Sequence, residues 1–134
     1  MPHIPEMLYS LGKKLQSNDR HEEAINVYKK AIYINRINNG LYSLSQETSL
    51  QAIIESQKIQ GRLKEIAGNY SQLLQIYRKN YKENNPNFLD MIDEFSHWSI
   101  KAYAQTGGRD DVYHLEAAFD LYTDTIRILS EQNG

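Results

Sequence analysis

Apolar residues recur at intervals of three and four along almost the whole chain, beginning with Ile4, Leu8, Leu11 and Leu15. That spacing stacks side chains on one face of a helix, whereas a half-buried strand needs every second residue. No segment gives a strand signal, so an all-α fold is expected. The apolar band of the second segment is wider, with Ala24, Val27, Tyr28, Ala31 and Ile32 broadened by Ile34 and Ile37. A band of that width has to be covered on two sides.

The punctuation between these stripes sets the element count. Asn18 and Asp19 break the first helix, and Asp19-x-x-Glu22 reads as a capping box opening the second. Asn39-Gly40 supplies a left-handed residue to end that helix, and Ser43-x-x-Gln46 reads as the cap of the third. Leu41, Tyr42 and Leu44 lie between these signals and read as anchors that pin a long connection to the core. Taking such a side chain out of water gains about 1.5 to 3 kcal/mol, which would account for apolar residues in a turn.

The third helix carries Leu50, Ile53, Ile54 and Gln57 and stops near Gly61; the fourth runs from about Arg62 through Leu63, Ile66, Tyr70, Leu73, Leu74, Tyr77 and Tyr81. Asn85-Pro86 is a strong helix start, with Asn as N-cap and Pro at the first helical position. The fifth helix carries Met91, Phe95, Trp98 and Ala102 to Gly107-Gly108. A sixth, capped by Asp110 or Asp111, carries Leu115, Ala118, Phe119, Tyr122, Ile126 and Leu129. Six helices with short connections predict three antiparallel hairpins, at about 4–38, 44–84 and 86–132, within one domain spanning 1–134.

Charge and composition narrow the function classes. The 15 Lys and Arg are interspersed with 17 Asp and Glu for a net charge of −2, so the positive field needed for nucleic acid or an anionic membrane is missing. Cysteine is absent, which removes disulfides and thiolate metal sites and leaves the redox compartment open. No apolar run approaches the ~20 residues of a membrane span. The start MPHIPEMLYS lacks both a basic n-region and an apolar h-region, so neither membrane insertion nor a signal segment is expected there.

Self-comparison shows a recurring pattern on the second helix of each pair: Ala24-Tyr28-Ala31, Ile66-Tyr70-Leu73 and Ala118-Tyr122-Thr125. The spacings are unequal and longer than the ~34 residues of a standard tetratricopeptide repeat. The first pair nonetheless resembles that family closely, with Leu8, Leu11, Gly12 and Leu15 on one helix and Ala24, Tyr28, Ala31 and Ile32 on the next. The resemblance implies a TPR-like superhelical stack in which Gly and Ala let paired helices approach while Tyr fills the space beside them. It is specific over residues 4 to 35, moderate over 44 to 85 and weak beyond. The runs INRINNGLYSLSQ and IYRKNYKENNP also resemble a group of bacterial cell-envelope repeat proteins, some ending in a TonB-type energy-transducer domain. That likeness implies a periplasmic or envelope setting and a role as the helical-repeat part of a larger protein.

Chemistry is sparse. Glu94-x-x-His97 has the spacing by which di-iron bundles point two ligands inward, but such a site needs two of these motifs plus two further carboxylates, and the chain holds one. His97 therefore reads as a surface residue. His3, His21 and His114 form no ligand cluster, and His21 reads as a solvated first-turn residue. Gly107-Gly108 follows no strand, and no Ser sits in a nucleophile-elbow context. Neither catalysis, a metal nor a cofactor is expected. Tyr28, Tyr70 and Tyr122 share one repeat position and read as core, whereas Tyr9, Tyr42, Tyr103 and Tyr113 are less constrained by pattern.

What remains is a surface. In TPR-like stacks the first helix of each pair lines a concave side that accepts a peptide or a partner domain. By projection that side displays Tyr9, Lys13, Gln51, Glu55, Lys58, His97 and Lys101. Some relatives clamp a C-terminal carboxylate with Lys, Arg and Asn; Tyr9 and Ala52 stand where such a clamp wants polar or basic groups, so this ligand is not expected. The alternative is a structural or oligomerising segment. Ala117, Leu121 and Ile128 form a second stripe on the sixth helix, where an end repeat needs a polar cap. A modest homodimer contact, or a further helix, is the expected cover.

Overall fold

The computed structural model describes residues 3–82 and 84–105, together with Asp120, Thr123, Asp124, Arg127, Ser130 and Glu131. Among the described residues there are five delimited α-helices and no strand: α1 (Ile4–Ser17), α2 (His21–Asn39), α3 (Glu47–Gln60), α4 (Leu63–Asn80) and α5 (Pro86–Gln105), with a short 3-10 turn at Leu44–Gln46. The sequence predicts six helices. The sixth falls mostly outside the described residues, where the six isolated described positions are helical. The chain divides into two compact units, residues 1–76 and 77–134.

In the first unit α1 packs on α2 through Gly12, the one fully buried position of α1. Tyr28, completely buried, lies against it, flanked on its own helix by the buried Ala24 and Ala31. The close approach turns the buried face of α1 toward Gly12, with Leu8, Tyr9, Leu15 and Gln16 half-covered beside it. Ile4 and Leu11, which the spacing assigns to the core stripe, are consequently exposed, as is Met7. Helix α3 is the central element, burying Ser49, Leu50, Ala52, Ile53, Ile54, Ser56 and Gln57 on several sides. Gly61, in the left-handed conformation (φ 72°), ends α3, and Gln57 meets Asn69 while Lys58 meets Tyr70, so the chain reverses into α4.

One residue that matches a capping pattern has another role. Asp19 has φ 58°, and its N–H donates to Gln16 O at 3.0 Å while that of Arg20 donates to Leu15 O at 2.9 Å. This is a Schellman ending of α1, with Asp19 at the left-handed position, and not the N-cap of α2. No side chain caps α2 or α3. Gly40 has the expected positive φ, 102°, but with ψ 159° it extends the chain and does not curl it.

The connection after Gly40 is held by polar groups. Leu41 and Tyr42 are exposed and Leu44 is half-buried, so the loop is not pinned by an apolar anchor set. Gln46, completely buried, does this instead: its Nε2 donates to Leu41 O (2.8 Å) and Ser43 O (3.1 Å), and its Oε1 accepts from Arg36 Nε (2.7 Å). Asn35 Nδ2 adds a bond to Ser45 O at 3.2 Å. A loop with unpaired carbonyls needs donors more than it needs apolar contacts. For the same reason the apolar band of α2 stops short of Ile37, which is exposed, and ends on the buried Asn35.

The second unit is described through α5. Asn85 caps it as expected, its Oδ1 accepting from Asn87 N–H at 2.9 Å. Met91, Phe95 and Ala102 are buried, joined by Phe88, Ile92, Ser96 and Ser99; Trp98 is half-buried, its ring nearly parallel to Phe95 at 6.2 Å.

Candidate functional site

The best-defined surface of the first unit follows the seam between α1 and α3. Gln16 ties the two helices, its Nε2 donating to Ala52 O and to Ser56 Oγ, each at 2.8 Å. Its Oε1 accepts the Tyr28 hydroxyl at 2.5 Å. Burial pushes the Tyr28 phenol far above its usual range, with Tyr9 and Glu55 adding to the shift, so it stays a neutral donor.

Ser56 Oγ also lies 2.8 Å from His21 Nδ1. Both Gln16 amide hydrogens are spent on Ala52 and Ser56; the Ser56 hydroxyl can give or accept the hydrogen shared with His21 according to the imidazole tautomer, and His21 Nε2 lies 3.8 Å from the Asp19 carboxylate. Its first-turn position reads as solvated in the sequence, yet the His21 side chain is only 13% exposed. The order Asp19, His21, Ser56 superficially matches a hydrolytic triad. Ser56 is completely buried and bonded to both Gln16 and His21, so the chain of bonds ties three helices together and leaves the hydroxyl closed to a substrate.

Five of the residues expected to meet a partner lie on these two helices. Tyr9 is half-buried, its ring 5.8 Å from that of Tyr28, and Lys13 is exposed one turn on. On α3, Gln51 is half-buried and Glu55 exposed one turn later; Lys58 is exposed and leans toward α4, its Nζ 5.4 Å from the Tyr70 ring centroid. His97 and Lys101, exposed on α5, belong to the second unit. His97 Nδ1 turns back on its own helix, 2.9 Å from Asp93 O and 3.4 Å from the Asp93 carboxylate. Among the described residues no group of three or more His, Cys, Asp or Glu could hold a metal ion. Ala117, Leu121 and Ile128 lie outside the described residues.

Where the seam meets the connection after α2, a cavity of about 760 Å³ opens. It is lined by Tyr9, by Asn35, Asn38 and Asn39, by Ser45, Thr48 and Ser49, by the apolar Ile4, Pro5, Ile34 and Leu44, and by His3, Glu6 and Glu47. No Lys or Arg lines it. Side-chain amides there offer both donor and acceptor, which is what a peptide backbone presents in return. Sequence reasoning missed these residues because Asn39, with Gly40, reads as helix punctuation and Asn35 and Asn38 match no motif. The available signal was their spacing with Asn35, at i, i+3 and i+4, which places all three on one face.

No family model matches the sequence, and no curated protein matches it at a significant level. Among solved structures, the chain is similar to two crystal structures of a kinesin light chain-like protein of nearly identical TPR-like repeats from Podosopora anserina. One is a form of that protein carrying a single substitution, at TM-score 0.64 and 18% identity; the other has a TM-score of 0.62 and 17% identity. Each comparison covers 98% of this chain and 58% of that one, so the chain spans little more than half the length of its neighbours. The fold is therefore TPR-like. Neither neighbour's description concerns a cell-envelope protein, and that likeness rests on the quoted runs alone. No described helix is long and apolar enough to cross a membrane.

Proposed function

We propose that the chain is a non-enzymatic protein-interaction module that receives a peptide or partner segment along the α1–α3 face of its first unit. The observation that carries this reading is the cavity beside Tyr9, lined by Asn35, Asn38 and Asn39 and by the first turns of α1 and α3, the helices that further along carry Lys13, Gln51 and Glu55. Tyr9 rests on Tyr28, and the seam behind it is fixed by the Gln16 bonds, so little ordering entropy opposes binding. An extended backbone would exchange hydrogen bonds with the amides, while Lys13 and Glu55 would select its charge pattern. His97 and Lys101 are retained as candidate contacts of the second unit. Peptides selected by display on the folded chain, then crosslinked from a photoreactive residue at position 13 or 51, test the reading. Lys13→Glu and Tyr9→Ala should each weaken the selected peptides about tenfold, the loss of one well-made contact. Peptides indifferent to both changes would exclude this face.

A second reading has its own observation. Ile4, Met7 and Leu11 form an exposed apolar stripe on α1, which suits a segment that oligomerises or spaces a larger envelope protein. Sedimentation across concentrations separates the two, since Met7→Lys would abolish self-association on this reading and leave peptide binding intact on the first.

A further inference from the structure

A second groove of about 310 Å³ lies among α2, α3 and α4 and has no wall from α1. Its floor is Ile32, Leu50 and Ile53; Lys29, Tyr33 and Arg36 stand along one side at i, i+4 and i+7 on α2, with Asn69 of α4 facing them across the floor. No carboxylate lines it, although the chain as a whole carries more acids than bases. Tyr33 is exposed at 65%, an aromatic face with no cover among the described residues.

Arg36 is prepared for a ligand. Its Nε is occupied by the Oε1 of Gln46, which is completely buried and itself held by two loop carbonyls. That bond fixes the guanidinium plane and leaves the edge formed by its two terminal nitrogens without a partner among the described residues. Such an edge matches the two oxygens of a carboxylate. Lys29, about two turns away on the same side, adds a second positive charge; it makes no ion pair within 4 Å with a described residue, although its field reaches Glu22, two turns earlier on α2 and outside the groove. Asn69 spends its Nδ2 on Gln57 (2.8 Å), leaving its Oδ1 as an acceptor for a backbone N–H.

We propose that this groove is a second docking site, for a short acidic segment of a partner protein. One Asp or Glu pairs bidentately with Arg36, a second lies against Lys29, and one large apolar side chain between them covers Tyr33 and the Ile32–Leu50–Ile53 floor. The choice of occupant follows from charge complementarity: two positive groups flank an apolar floor with an aromatic rim and no acid. The site is independent of the α1–α3 face, because none of its walls belongs to that seam.

The test uses the full chain and a set of short, terminally capped, fluorescein-labelled peptides. Each carries two Asp or Glu residues and one Leu or Phe at varied spacings, and a matched set has Asn and Gln in place of the acids. Anisotropy should show saturable binding for members of the acidic set that weakens as salt rises, with the neutral set at least about tenfold weaker, as loss of a charge-assisted pair implies. Lys29→Gln and Arg36→Gln should each reduce affinity severalfold, whereas Tyr9→Ala and Lys13→Glu should leave it unchanged. Because Arg36→Gln strips a partner from Gln46, its melting curve is compared with wild type, and Lys29→Gln serves as the surface variant that leaves the loop intact. Absence of binding across the acidic set, equal binding by the neutral set, or indifference to Lys29→Gln would overturn the proposal. Full displacement by millimolar inorganic phosphate would also overturn it, by making this a small-anion site.

Discussion

Gly12 lies so close to the Tyr28 ring that a Cβ added there would fall 2.6 Å from Cζ and 2.8 Å from Cδ1. No side chain larger than hydrogen fits without separating α1 from α2. Gly12→Ala should therefore destabilise the chain by about 1 to 3 kcal/mol, the usual cost of overpacking, even though Ala favours a helix by nearly 1 kcal/mol. Gly68 is the control: it is also inside a helix, but a Cβ there meets nothing within 4 Å. Gly68→Ala should stabilise by about 0.5 to 1 kcal/mol. Urea denaturation of the two variants, expected to move in opposite directions, checks both.

Ser56→Ala would leave one Gln16 amide hydrogen and His21 Nδ1 without partners in a buried setting. The expected loss is about 1 to 3 kcal/mol, the cost of stranding buried polar groups. Replacing Gln16 by Leu in the same background should lose less than the sum of the two single changes, because the residues form one network. Thermal melts of the single and double variants measure that coupling, and strict additivity would contradict the network.

Asp19 occupies a left-handed conformation that disfavours side chains, at the end of α1. Asp19→Gly should raise stability by roughly 0.5 to 1 kcal/mol, since Gly adopts this conformation without the 1 to 2 kcal/mol penalty but is more flexible when unfolded. Were Asp19 the N-cap of α2, the same change would lower stability. The sign of the shift in denaturation midpoint therefore decides the role.

Glu22 is exposed, yet its carboxyl is held below the usual Glu range, first by its hydrogen bond from Arg62 and then by that from Gln60. A depressed folded pKa means that the unfolded chain takes up the proton first as acid is added. The contribution is thus complete above the ordinary value of 4.5 and is lost as pH falls through the lower folded value. Stability of Glu22→Gln should converge on wild type in that acid window, and added salt should narrow the difference near neutral pH.

Gln46→Leu should cost more than Leu44→Ala, because it strands Leu41 O and Arg36 Nε and leaves Ser43 O only the backbone N–H of residue 46, whereas Leu44 is only half-buried. Losses of about 2 kcal/mol or more against about 1 are expected from buried hydrogen bonds and partial apolar burial respectively. A chemical denaturation series reversing that order would restore the apolar-anchor view of the loop.

The sequence by itself determined the helices and the first pair's packing. Periodicity of three and four is a property of the chain alone, and Asn85-Pro86 and Gly61 carry their own conformational preferences, so the start of α5 and the end of α3 were legible before any contact was known. Gly12 and Tyr28 were legible through the repeat they resemble. Tertiary structure decided which face each stripe turns inward and what the polar residues do. Ile4 and Leu11 satisfy the helical spacing but lose the core to Gly12, because the closest approach of two helices sets their rotation. Asp19 and Ser43 match capping patterns but serve other ends, since backbone donors choose among partners that only the folded chain supplies. Gln46 and Asn35 gather loop carbonyls, Arg36 is held by Gln46, and Asn35 and Arg36 line one groove each, roles that depend on partners brought near only by folding.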